Sequence, residues 1–139
     1  MTASDLEALK RTARRFGWTA LLVWTCAGLL LEAAHGWKVS AVLDDELTRT
    51  LLRLGHAHGV GLSLLAVVHG ELATPLFSAG DARVVMRALQ AGALSVPLGF
   101  GLGAIGHPEG DPSVLVFLVP VGALALIYAL TRTAVAAWR

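Results

Sequence analysis

Four stretches of the chain are apolar over nearly their whole length: Gly17–Ala34, Leu51–Leu72, Val84–Ile105 and Ser113–Leu130. Each is close to the ~20 residues a helix needs to cross ~30 Å of hydrocarbon, and short polar connections join them. The pattern predicts an all-α fold, an integral membrane four-helix bundle forming one transmembrane domain over residues 1–139. Ahead of the first span, Ser4 and Glu7 have capping-box spacing. They predict a short basic amphipathic N-terminal helix lying along the membrane surface.

The third span places Ser95, Gly99 and Gly103 at four-residue spacing. Such a stripe of small residues lets helices approach closely and offers a surface for a homo-oligomer or another membrane-complex partner. Pro97 and Pro120 fall inside spans, each removing a backbone donor and freeing the carbonyl four residues earlier. In the first connection, Asp45, Arg49 and Arg53 form an i,i+4 charge ladder with Glu46 beside it. A second span that begins as helix from Ser40, above the membrane, would present them this way.

Composition sharpens the membrane assignment. Hydrophobic residues make up 55% of the chain and charged ones 15%, too apolar a balance for an ordinary soluble fold of 139 residues. Lys10, Arg11, Arg14, Arg15, Arg83, Arg87, Arg132 and Arg139 fall on one side of the spans, against Lys38, Arg49 and Arg53 on the other. This asymmetry predicts both termini in the cytoplasm of a bacterial-type inner membrane. No basic, aromatic-studded surface points to nucleic acid; the expected surroundings are the lipid bilayer. Leu31-Glu32-Ala33 is a poor signal-cleavage site, so the first apolar stretch is expected to be retained. The single cysteine, Cys26, excludes an intramolecular disulfide and any CxxC motif, and reads as a small hydrophobe.

Candidate chemistry gathers in the half of the membrane opposite the termini. Glu32 and His35 close the first span, Arg53, His56 and His58 open the second, and His107 and Asp111 follow the third. Ionisable groups inside spans are costly and point to function or to partners within the bundle. His56 and His58 lie about 7 and 10 Å along the second span, and two positions along a helix turn them about 200° apart. They cannot chelate one ion together unless Gly55, Gly59 and Gly61 let the helix unwind.

Three readings follow. His35, His56 or His58, and His107, with Glu32 or Asp111, could ligate a transition metal. Two imidazoles from different helices could hold a haem b, with His56, His58 and Arg53 as the cofactor-binding residues. The thirteen residues from His56 to His69 would suit two stacked haems, but the inner position lacks a second histidine. A His, Arg and carboxylate network could instead be proton-responsive and couple to transport, as in a transporter or channel. The same side chains could also simply bond across helices and lock the bundle. His69 and Glu71 are expected at the interface and Gln90 within the bundle. No HExxH, GxSxG or paired-carboxylate motif is present, so the sequence gives catalysis little support.

At Leu54–Gly59, Pro97-Leu98-Gly99-Phe100, Gly110-Asp111-Pro112 and Val119-Pro120-Val121-Gly122-Ala123 the chain resembles a family of small, uncharacterised four-span bacterial membrane proteins. Its most distinctive element is the His-Ala-His-Gly segment. The similarity runs from about Asp44 to Leu130 and implies a location and a fold, with no catalytic residues.

Overall fold

The computed structural model describes residues 1–139 and contains helices and turns only. Helix α1 (Ala3–Gly36) is followed by a single turn, α2 (Ser40–Leu43), and then by α3 (Glu46–Leu72). A 3-10 turn at Thr74–Leu76 leads into α4 (Ala79–Gly103), and a second one at Val114–Phe117 runs into α5 (Leu118–Ala137). Four helical stretches are long and apolar enough to cross a membrane: α1, α3, α4 and the Val114–Ala137 segment. The protein is a multi-pass, all-α membrane protein. Leu22, Leu29, Leu30, Val121, Leu124 and Ile127 stand exposed along these helices, as lipid-facing side chains do.

The N-terminal segment corrects the sequence expectation. It is no separate surface helix, because α1 is continuous for 34 residues, about 51 Å at helical rise. No proline or turn-forming cluster interrupts Lys10–Phe16, so the helix propagates straight into the span. Its cap is Thr2 with Asp5 as the reciprocal partner, two residues earlier than Ser4 and Glu7. This segment docks on the bundle: Lys10 and Arg14 pair with Glu71 of α3 at 3.6 and 3.4 Å, Asp5 pairs with Arg83 of α4 at 3.7 Å, and Ala13 is fully buried against Gly70.

The first connection also differs. The backbone turns left-handed at Lys38, makes the one turn of α2, and breaks where Asp45 adopts an extended N-cap conformation. Its carboxylate accepts from the Leu47 and Thr48 amides at 3.2 and 3.0 Å, so the second span begins at Glu46 and not at Ser40. The charge ladder does not form. Arg49 pairs with Glu46 and donates to the Leu43 carbonyl, while Arg53 turns to His35.

The large helix seams join α1 to α3, α3 to α4 and α4 to α5. Ala66, Val85, Leu89 and Ala129 are fully buried where α3, α4 and α5 meet, with Phe16 and Leu126 packed against them. The small-residue stripe is used inside the chain. Gly92 faces Gly122 and Leu126, Ser95 faces Gly122, Gly99 faces Leu118 and Val119, and Gly103 faces Val116. The surface expected to serve self-association is therefore the α4–α5 seam. Pro97 lies buried within α4, as its position predicts. Pro120 falls in the first turn of α5, where a missing donor costs little, so there is no mid-span break at that point.

Asp81 of α4 meets Arg132 of α5 at 2.9 Å, beside the Asp5–Arg83 and Glu71 pairs. The two termini thus share one end of the bundle, with His69 of α3 close by, and His35, His56, His58 and His107 lie toward the other.

Candidate functional site

His56 extends from α3 toward α1, where its Nδ1 donates to the Trp24 carbonyl at 2.9 Å. The approach depends on two glycines. A Cβ at Gly28 would run into the His56 ring, and a Cβ at Gly59 would run into the Trp24 indole. The α1–α3 seam is thus built from two interlocked notches, each holding a ring from the opposite helix. The glycines of α3 do not unwind it. Gly59 makes room for Trp24, and Gly55 sits against the Pro97 carbonyl and Phe100 of α4. The sequence reading missed Trp24 and Gly28, although their i,i+4 spacing on α1 puts a large and a small residue on one face.

Because a carbonyl only accepts, the neutral His56 ring carries its proton on Nδ1 and presents a bare Nε2. That nitrogen has no protein partner, and His56 lines an open groove of about 750 Å³ together with Thr25, Glu32, His35 and Arg53. His35 repeats the arrangement, with Nδ1 donating to the Leu31 carbonyl at 2.8 Å and Nε2 3.4 Å from the Arg53 guanidinium. Neither Arg53 nor Glu32 forms an ion pair, although both line this groove near the end of a span.

The other expected ligands lie elsewhere. The His58 Nδ1 donates to the Leu54 carbonyl one turn back at 2.8 Å, and its ring packs 5.1 Å from Phe100 beside α4. It faces away from His56, as the helical spacing requires. Asp111 is exposed in the α4–α5 connection with no side-chain partner. His107 reaches the start of α3, where its Nε2 lies 2.8 Å from Asp45 and 2.9 Å from the Thr48 hydroxyl.

No three His, Cys, Asp or Glu side chains converge in a way that could hold a metal ion. His35, His56, His58, His107, Glu32 and Asp111 are therefore not brought together as one metal site. Arg53 beside the His35 Nε2 also sets a fixed positive charge where a cation would bind. For a haem, His56 is the one imidazole that offers the groove a free Nε2, so no axial pair is assembled there.

The His107 cluster has a clear electrostatic character. Thr48 donates its hydroxyl proton to Asp45, so its oxygen is left to accept from His107, and Nδ1 of His107 faces the Pro108 carbonyl at 2.8 Å. Both ring nitrogens face acceptors, which suits the imidazolium. The Pro108 carbonyl and then Asp45 raise the His107 pKa above its ordinary 6.5. The Thr48 hydroxyl and amide, with smaller help from the Leu47 amide and His107, lower Asp45 to about 2. Left-handed backbone at Gly106 and Gly110 lets the connection fold back to make this contact.

At the opposite end His69 is buried within the bundle, and its Nε2 donates to the Thr133 hydroxyl of α5 at 2.8 Å. Its Nδ1 has no partner. Gln90 makes no side-chain hydrogen bond and instead lines a cavity between α1 and α4. Cys26 is an exposed free thiol on α1.

Fold and site together define a multi-pass helical membrane protein with a polar groove between its first two spans. No known protein-family profile, curated protein or solved structure matches the chain.

Proposed function

We propose that the protein is a proton-linked transporter or channel whose α1–α3 groove takes up its solute, with His56 as the proton acceptor. The observation that carries this reading is the His56 ring. One nitrogen is anchored on Trp24 and the other is free in a groove shared with an unpaired Arg53 and an unpaired Glu32. A ring held by one nitrogen can gain and lose a proton at the other without changing place. Unpaired charges near the end of a span are costly, and a solute that pairs with them offsets that cost. The matching chemistry is a small anion for Arg53 that also bears a hydrogen-bond donor for His56. The groove would open on the outer side of a bacterial-type inner membrane, with both termini cytoplasmic, as the distribution of basic residues supports.

The test is proton flux into liposomes containing the purified protein and a trapped pH-sensitive dye, driven by a potassium diffusion potential. Flux in the wild type that falls at least tenfold in His56→Gln and in Arg53→Gln supports the reading. An impermeable wild type overturns it. Elemental analysis and an absorption spectrum of the same sample test the cofactor reading, in which a metal or haem is retained and is lost in His56→Gln.

A further inference from the structure

Along the face between α1 and α4 the two helices run alongside each other with little direct packing. Two cavities follow one another along it. The first, of about 300 Å³, lies at the end that holds the termini and is polar, lined by Thr12, Arg83, Arg87, Gln90 and Asp5 among others. The second, of about 500 Å³, continues toward the middle of the spans and is apolar apart from its mouth, where Arg15 stands; Phe16, Val23, Trp24, Leu94 and Leu98 form its walls. On α4 the step from Gln90 to Leu98 is eight residues, about 12 Å, close to the ~15 Å depth of one leaflet of hydrocarbon.

We propose that this trough binds one anionic phospholipid, its phosphodiester held by Arg83, Arg87 and Arg15 and one acyl chain lying between α1 and α4. Charge complementarity decides the occupant. Three arginines and one carboxylate line the trough, and that carboxylate, Asp5, is already paired with Arg83 at 3.7 Å. Arg87 is exposed and has no acidic partner. The Gln90 side chain, also without a hydrogen-bond partner, lies where the polar lining gives way to the apolar one and can donate to an ester carbonyl. A zwitterionic headgroup would bring its own cation against the arginines. A partner helix would leave the basic end without a counter-charge. A basic pocket between transmembrane helices is the physical form that recognition of an anionic headgroup takes.

The experiment equilibrates the full chain in bicelles of equal parts phosphatidylglycerol and phosphatidylcholine. Retained lipid is then read by native mass spectrometry after transfer to mild detergent. One phosphatidylglycerol per chain is expected, with phosphatidylcholine largely excluded. Arg87→Gln, at an exposed position that does not threaten the fold, should lower retention about fivefold. Leu94→Trp, which fills the apolar trough from a position also exposed to lipid, should lower it further while the helical circular dichroism is unchanged. Glycerophosphate and inorganic phosphate should fail to displace the lipid at concentrations where added phosphatidylglycerol succeeds. Equal retention of the two lipids, retention unchanged in both variants, displacement by phosphate alone, or a lipid-free dimer joined through this face would each overturn the proposal.

Discussion

Gly92→Ala places a methyl group where α4 and α5 touch. The new carbon would lie 2.5 Å from the Leu126 Cγ, 2.7 Å from the Gly122 carbonyl oxygen and 2.8 Å from the Leu126 Cδ2. Ordinary carbon contacts lie at about 3.5–4.0 Å, so the helices must part by roughly 1 Å. Leu126 can change rotamer, but the Gly122 carbonyl is fixed in its helix and cannot turn aside. A gap of that size forfeits about a quarter to a half of each contact along the seam. The cost belongs at the upper end of overpacking, about 3 kcal/mol, offset by about 1 kcal/mol from the better helix propensity of alanine. The net loss is about 2 kcal/mol. Gly61 supplies the control, because a Cβ there meets nothing within 4 Å. Gly61→Ala should therefore stabilise α3 by up to about 1 kcal/mol. Unfolding by dodecyl sulfate in mixed micelles, followed by circular dichroism, should show the two variants moving in opposite directions. They should differ by about a hundredfold in unfolding equilibrium. Shifts of the same sign and size would refute the assignment of the glycine stripe to the internal seam.

The tie between His107 and Asp45 should depend on pH. Asp45, lowered to about 2, contributes above its ordinary 3.8 and loses that contribution as the pH falls through 2. His107, raised above 6.5, contributes fully below 6.5 and loses it as the pH rises through its elevated value. Amide exchange at Thr48 should be slowest between pH 3.8 and 6.5 after correction for intrinsic rates, and His107→Ala should abolish the change on the alkaline side. Thr133→Val leaves buried His69 without a partner on either nitrogen and should cost about 1–3 kcal/mol in the same unfolding assay, an effect that His69→Leu made with it should reduce. Gly28→Ala should push His56 off the Trp24 carbonyl; loss of the His56 Nδ1 proton resonance, with helix content kept, is the expected nitrogen NMR result.

The spans were legible because a membrane imposes a length and a polarity that residue counting recovers directly. The angle between His56 and His58 was legible too, since it depends only on helical geometry. Helix ends were less so. Thr2 and Asp45 became caps through backbone torsions, and Ser4 or Ser40 could have served equally well on spacing alone. The destination of the small-residue stripe could not be inferred, because Ser95, Gly99 and Gly103 look the same whether they face α5 or another chain. The candidate site was half visible. Glu32, His35, Arg53 and His56 share a groove, whereas His107 and Asp111 have only their depth in the sequence pattern in common with them. Depth says how far along the membrane normal a residue lies and nothing about its bearing around the bundle axis. Asp45 and Thr48 captured His107 from such a different bearing.

Every large seam joins a span to the next one in the chain, α1 with α3, α3 with α4 and α4 with α5. During synthesis each span can therefore pack as soon as its successor has entered the bilayer, without waiting for a distant segment. Such a low contact order is associated with rapid folding. By the same order, the glycine stripe of α4 stays open to lipid until α5 has been made. A chain stalled in the α4–α5 connection would carry Gly92, Gly99 and Gly103 bare within the membrane. Those bare glycines would leave the α4 backbone open to close approach by any other helix in the bilayer.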